Sequence, residues 1–312
     1  MPIVRSAFRP AWWLPGPHLQ TLWPRLMPTP ALPPTRRERL ELPDGDFVDV
    51  VCTLGDGPLV AVFHGLQGSV QSPYAAGLLA GLERAGLRAV LMHFRGCSGE
   101  PNRLPRAYHA GDTADIRHVV GLLRPKAAVG FSLGGNALLK YLGEEGLACN
   151  LRVAIAVSPP LVLSVGADRL RQGFSRLYQR HLLNLLKAAA RRKQLPLPAG
   201  VDLERTWAAR DFWQFDDAWT APLHGFRNVH HYFDECSARR WLGRIAVTTH
   251  ILHSRDDPFY TPAVLPTADE LPPHVNLELS EAGGHVGFVQ TGGRPWLDER
   301  IPALLRASLD AP

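Results

Sequence analysis

The stretch Gly130-Phe131-Ser132-Leu133-Gly134 places a serine between two glycines, each two residues away, directly after an apolar run and directly before a helical pattern. A serine hydroxyl is a poor nucleophile until a base takes its proton. The spacing meets the steric part of that problem. A tight strand-to-helix turn presents the hydroxyl beyond the sheet on strained backbone angles, and the glycines let neighbouring backbone pass close by. The positive end of the following helix then lies behind the oxygen. A serine capping a helix in a structural glycine turn would also explain Ser132 taken alone, so the weight falls on what comes later in the chain.

Two later segments supply a base and an acid in the order that such an elbow requires. Leu252-His253-Ser254-Arg255-Asp256-Asp257-Pro258 follows an apolar strand, and Glu281-Ala282-Gly283-Gly284-His285-Val286-Gly287-Phe288 follows the last one. The two glycines before His285 allow a loop to carry the ring over Ser132. His285 is therefore expected to take the Ser132 proton and return it to a leaving alcohol, with a carboxylate fixing its tautomer. Asp256 is preferred as that carboxylate because it comes first after the strand, while Asp257-Pro258 suits the start of a turn. Asp257 stays open as the alternative. The negative charge developing on a substrate oxygen needs two backbone N–H donors. Leu133, following the nucleophile, is one expected donor. Leu66, in the loop His64-Gly65-Leu66-Gln67-Gly68, is the other.

These residues need a scaffold, and the pattern supplies it. Apart from the leading Arg88, the runs 59–63, 88–92, 127–131 and 153–157 are continuously apolar, as expected for strands covered on both faces. Helical stretches at 74–85, 110–123 and 135–142 alternate with them, and strands resume at 249–253 and 275–279 before a final helix over 296–309. Alternation of this kind predicts an α/β fold with a mostly parallel central sheet and helices on both faces. Residues 1–55 are expected to form an N-terminal arm, irregular because it is rich in proline, followed by a hairpin turned at Pro43-Asp44-Gly45-Asp46 and packed on the core. Residues 56–160 and 247–312 form the expected core. Residues 161–246 read as a helical cap insertion, with Leu177, Leu182, Leu183, Leu185 and Leu186 offering an apolar face.

Composition narrows the functional classes. Of 312 residues, 46% are hydrophobic and 20% charged, enough for a large core without metals or disulfides. A net charge of +5 is too mild for a nucleic-acid partner. Positive charge concentrates only at Arg169, Arg171, Arg176, Arg180, Arg191, Arg192 and Lys193. That cluster suits the solvated face of a helix and leaves room for peripheral contact with an anionic membrane surface. Cys52, Cys97, Cys149 and Cys236 show no paired spacing, so reduced thiols in a cytoplasmic protein are expected. The N-terminus carries no signal-like apolar segment, and no apolar run reaches membrane-spanning length. His230 and His231 are adjacent and point apart on a helix, so no metal site is expected there. Asp112 and Asp115, with His109 and His118, read as the acidic start of the helix before the elbow strand.

Taken together, the motifs resemble the YheT-like hydrolases, a branch of the α/β-hydrolase superfamily that includes ABHD-type lipid esterases and yeast ethyl-ester-forming acyltransferases. The resemblance rests on Pro17-His18-Leu19-Gln20-Thr21, His64 to Gly68, and His93-Phe94-Arg95-Gly96-Cys97-Ser98-Gly99-Glu100-Pro101-Asn102-Arg103. Gly130 to Asn136, Phe215-Asp216-Asp217 with Ala221 to Phe226, Asp256-Asp257-Pro258 and Gly283-Gly284-His285 complete it, in order along nearly the whole chain. It implies an α/β-hydrolase fold, a triad of Ser132, Asp256 and His285, and no cofactor. It also implies small-molecule or lipid ester substrates, from short esters to acylglycerols and phospholipids. The expected activity is carboxylic-ester hydrolysis through an acyl-enzyme. Acyl transfer to an alcohol by the same triad, and a non-catalytic binding role on the same fold, are the alternatives.

Overall fold

Five-residue strands that are apolar on both faces fill the middle of a nine-stranded sheet in the computed structural model, which describes residues 2–28, 30–193 and 196–311. Met1, Thr29, Gln194, Leu195 and Pro312 lie outside the described residues. The strands are β1 (Ile3–Arg5), β2 (Thr35–Glu41), β3 (Phe47–Thr53), β4 (Leu59–Phe63), β5 (Arg88–Met92), β6 (Ala127–Phe131), β7 (Val153–Val157), β8 (Thr248–Ser254) and β9 (Val275–Ser280). Their order across the sheet is β1-β9-β8-β7-β6-β4-β5-β3-β2. All pairings are parallel except β2 with β3 and β3 with β5.

Successive residues of a strand point to opposite faces, and here both directions end in core. Ala61 and Phe63 join one buried cluster with helices α3 (Ala114–Leu123) and α4 (Leu133–Glu145). Val60 and Val62 join a second with α2 (Ala75–Arg84) and α11 (Leu297–Leu309). Two-sided burial explains why the runs lack polar alternation. The expected mostly parallel α/β sheet, helical on both faces, is borne out.

The N-terminal segment departs from expectation. Ile3–Arg5 adds a parallel edge strand beside β9, in the proline-free stretch between Pro2 and Pro10. Pro17 opens a short helix, α1 (Pro17–Leu22), at the position where its missing N–H costs nothing. The β2–β3 hairpin is no separate layer: it continues the sheet beyond β5. Its turn is pinned from the loop after β5. Arg95 donates to Asp46 Oδ2 at 3.2 Å, and Asn102 donates to Asp46 Oδ1 at 2.8 Å and to the Phe47 carbonyl at 2.7 Å. Arg95 also makes two bonds of 2.7 Å to Asp115. Asp115 is thus a buried partner of Arg95, not simply an acid favoured by a helix terminus. The long motif from His93 to Arg103 is largely a clasp between hairpin and core.

Between β7 and β8 the described chain is helical: α5 (Leu163–Leu170), α6 (Ser175–Arg191), α7 (Leu203–Ala208), α8 (Phe212–Phe215), a π-helical turn (Asp216–Thr220), α9 (Ala221–Leu223), α10 (Val229–Cys236) and a final 3-10 segment, Ala238–Arg244. Asn136, on the elbow helix α4, ties this insertion down. Its amide donates to the carbonyls of Ala110 and Cys236, both at 2.8 Å, and accepts the Ala238 N–H at 3.0 Å. The leucine face of α6 divides differently from expectation. Leu183 is buried, Leu182 and Leu186 line a cavity, and Leu177 and Leu185 lie on the exposed side of the helix.

Candidate active site

Parallel strands end on one edge of a sheet, which is where crevices form in such folds. Here β4, β6, β8 and β9 deliver, at that edge, the loop from His64, Ser132, the Asp256-Asp257 pair and the loop to His285. Ser132 has φ 49° and ψ −118°, a conformation that non-glycine residues rarely adopt. The turn is closed by contact between backbones. A methyl group placed on Gly134 would sit 2.4 Å from the His64 carbonyl oxygen, and one on Gly130 would sit 2.5 Å from that of Gly134. Both positions therefore need glycine for space.

Ser132 Oγ lies 2.9 Å from His285 Nε2, and His285 Nδ1 lies 2.8 Å from Asp257 Oδ2. The preference for Asp256 is corrected by this geometry. Asp256 Oδ1 accepts the Gly284 N–H at 3.0 Å and so braces the histidine loop from the side. Asp257 does form the turn expected of it, but one oxygen suffices: Oδ1 accepts the Phe259 N–H at 2.8 Å. Its other oxygen remains for the imidazole. Asp257 is nearly fully buried, and the Phe259 ring stacks on His285 with centroids 3.9 Å apart and planes 7° from parallel.

The histidine loop is also held by the arm. The His285 N–H donates to Thr21 Oγ1 at 2.9 Å. Gln20, 1% exposed, makes a two-way bond with the backbone of Val289: its amide donates to the carbonyl at 3.2 Å and its oxygen accepts the N–H at 2.8 Å. The family motif singles out Gln20 and Thr21 but not their contacts, which form between residues more than 260 positions apart.

The loop from His64 is set by its neighbours. The buried His64 ring donates from Nδ1 to the Gly65 carbonyl at 2.7 Å and accepts the Phe94 N–H at Nε2 at 3.0 Å. Burial pushes its pKa down to about 3, so the ring is neutral, as that pattern requires. The Gly65 N–H donates to Tyr74, the Gln67 N–H to Tyr108 and the Gly68 N–H to the Gly65 carbonyl. Among the described residues the Leu66 N–H takes no acceptor, and Leu66 borders the cavity at Ser132. Leu133 begins α4, where first-turn N–H groups have no partner within the helix.

That cavity, of about 120 Å³, runs from Ser132 beneath the helical insertion. Leu163, Leu170, Leu182, Leu186 and Phe233 give it apolar walls. His109, Asp216, Thr220 and Tyr232 interrupt them. His230 is exposed and lies apart from these residues, and no group of three metal-ligating side chains occurs among the described residues. Among the described residues no helix is long and apolar enough to cross a membrane.

A parallel sheet with a serine on a strained elbow, an imidazole against its oxygen and a carboxylate behind the ring defines a class, and the chain belongs to it: the alpha/beta hydrolase fold family matches residues 58–291. Within that class the chain is 44% identical to YheT of Escherichia coli (strain K12), a protein provisionally named an esterase, over 94% of this chain and 91% of that one. This bears out the resemblance drawn from the motifs. It is also 27% identical to Phospholipase ABHD3 of Bos taurus, over 93% of this chain and 75% of the relative. Among solved structures, the Pyrococcus furiosus esterase Pf2001 shares the fold with a TM-score of 0.56 at 17% identity, over 88% of this chain and 91% of that one.

Proposed function

We propose that the protein is a serine hydrolase that cleaves carboxylic esters through an acyl-enzyme. The observation that carries this reading is the continuous chain from Ser132 Oγ to His285 to Asp257, with both links under 3 Å. Ser132 Oγ attacks the ester carbonyl carbon while His285 Nε2 takes its proton. Asp257 holds the proton-bearing Nδ1 and stabilises the imidazolium. The carbonyl oxygen, now negative, is met by the N–H groups of Leu66 and Leu133. Collapse of the intermediate breaks the bond to the leaving oxygen, which receives the proton from His285 and departs as the alcohol. Water then loses a proton to His285 and attacks the acyl carbon, releasing the carboxylic acid and restoring Ser132.

The names of the relatives, a phospholipase among them, support esters of the lipid class. So do the apolar cavity walls. Peripheral contact with an anionic membrane belongs to the same reading: Arg171, Arg176 and Arg180 border one cleft of the helical insertion, and Phe174 and Leu177 are exposed beside them. The four cysteines are unpaired, which suits a cytoplasmic enzyme.

The test is labelling by a fluorophosphonate, which reacts with activated serines. Wild-type protein should be labelled and Ser132→Ala should not, and p-nitrophenyl esters of increasing chain length should be hydrolysed by the first alone. Equal labelling of both proteins would remove the assignment.

A further inference from the structure

The cavity at Ser132 is walled mostly by aliphatic and aromatic carbon, so its polar residues need a reason. Burying a carboxyl group without full hydrogen bonding costs free energy. Asp216 is 8% exposed and borders this cavity. Its Oδ1 accepts the Thr220 hydroxyl at 2.5 Å, and its other oxygen receives no hydrogen bond from a described residue. Neighbouring Asp217 shows what a structural acid of this segment does: it bonds Arg205 at 2.9 Å and caps the Val229 N–H at 3.2 Å. Asp216 serves neither purpose. It opens the π-helical turn that also carries Thr220, and such turns concentrate at functional sites because they re-aim side chains.

Donors border the same cavity. His109 Nδ1 accepts the Gly111 N–H at 3.2 Å, which leaves the proton of the neutral ring on Nε2. Burial holds that ring neutral, with its pKa down to about 3. Tyr232 accepts the Ala110 N–H at 3.1 Å, which leaves its own proton to donate. The unpaired oxygen of Asp216, which accepts when ionised and donates while it holds its proton, stands with two donors in an otherwise apolar cavity; the set suits one kind of group, a hydroxyl, which both donates and accepts.

We propose that Asp216, with His109 and Tyr232, forms a subsite for a free hydroxyl group on the ester substrate, held in the cavity that starts at Ser132. The substrate class is thereby narrowed to hydroxylated esters, either partial esters of a polyol or esters of a hydroxy acid. This rests on the ester-hydrolase reading above and adds to it the selection of substrate.

Binding to Ser132→Ala protein, which leaves the ester intact, reads the subsite without turnover. Glycerol monohexanoate is compared with methyl hexanoate, and p-nitrophenyl 6-hydroxyhexanoate with p-nitrophenyl hexanoate. At least one hydroxylated ester should bind about tenfold more tightly than its match, as expected for one well-made hydrogen bond. The pair that shows the preference tells whether the hydroxyl lies on the alcohol or the acyl side. Adding Asp216→Leu should bring the ratio to near one, and adding His109→Phe, which keeps a ring in place, should lower it should the first variant not fold. Equal affinities within both pairs, or a preference surviving both substitutions, would overturn the subsite. Turnover of p-nitrophenyl hexanoate by the protein with Ser132 intact separates the two ideas. Turnover with no hydroxyl preference removes the subsite alone, while no turnover of any of these esters removes the hydrolase reading and the subsite with it.

Discussion

Asp257 Oδ2 faces His285 Nδ1 at 2.8 Å, while the adjacent Asp256 faces the backbone of the same loop at Gly284. Adjacent carboxylates thus touch one loop in different ways, one through its ring and one through its main chain. Asp257→Asn should lower kcat by about 10⁴-fold with little change in KM, since an amide facing Nδ1 favours the wrong tautomer. Asp256→Asn removes at most one charge-assisted bond to a backbone N–H, which corresponds to a loss of roughly tenfold. Steady-state kinetics of both variants on one p-nitrophenyl ester decides the matter. A larger loss in Asp256→Asn would return the acid to the position that the sequence favoured.

The arm reaches the same loop from the opposite end of the chain. Thr21 accepts the His285 N–H, and Gln20 completes the backbone of Val289. Thr21→Val keeps the shape and removes the acceptor, so the imidazole should lose its fixed approach to Ser132. Such positioning acts mainly on the chemical step. We expect kcat to fall by about tenfold with KM nearly constant. Gln20→Ala leaves a buried N–H and carbonyl unpaired, so it should add a stability loss of about 1–3 kcal/mol, measurable by urea unfolding. An unchanged kcat in Thr21→Val would reduce the contact to packing.

What was legible in the sequence was whatever depends on local pattern. Strands apolar on both faces, such as Val60 to Phe63, announce a covered parallel sheet, and the glycines around Ser132 announce the tight turn that the φ of 49° confirms. The choice between Asp256 and Asp257 was not legible. Both follow β8, and the deciding factor is which way each carboxylate leaves a turn that the Phe259 N–H helps to close. Leu177 and Leu185 fit a helical apolar stripe, yet the stripe that is covered depends on where α7 and α8 pack. Thr21 and Gln20 meet their partners only in the folded chain. Asp216 looked like part of a family motif without a task, because its cavity exists only once the insertion has folded over the strand ends.

Gly134 provides a sharper probe of the elbow than any change at the side chains of Leu66 or Leu133, whose backbone N–H groups are the proposed oxyanion donors. The three atoms nearest to its missing methyl group are backbone, the closest being the His64 and Phe63 carbonyl oxygens at 2.4 and 2.5 Å. Gly134→Ala must therefore push the loop that carries Leu66 away from Ser132. Removing one oxyanion donor costs about 10²–10³ in kcat, and a similar loss is expected here. Fluorophosphonate labelling should slow in parallel. Overpacking should also cost about 1–3 kcal/mol of stability. Normal turnover in this variant would show that the close approach is not needed.

Asp216 should leave a mark on stability as well as on selection. Burial raises its pKa from 3.8 to about 7. Between those values the folded protein keeps the proton that the unfolded chain has released, so folding stability falls as pH rises through this window. The penalty is largest above pH 7 and absent below pH 4; its ceiling is roughly 4 kcal/mol. Burial raises Asp298 to about 7 in the same way, so the wild-type curve contains both effects. Asp216→Asn isolates one of them, because the amide cannot ionise and still accepts from Thr220. Urea unfolding should find the variant gaining on wild type from pH 5 to pH 8, by about 2–4 kcal/mol. Parallel curves for the two proteins would mean that Asp216 ionises as readily when folded as when unfolded, and that its buried position imposes no such cost.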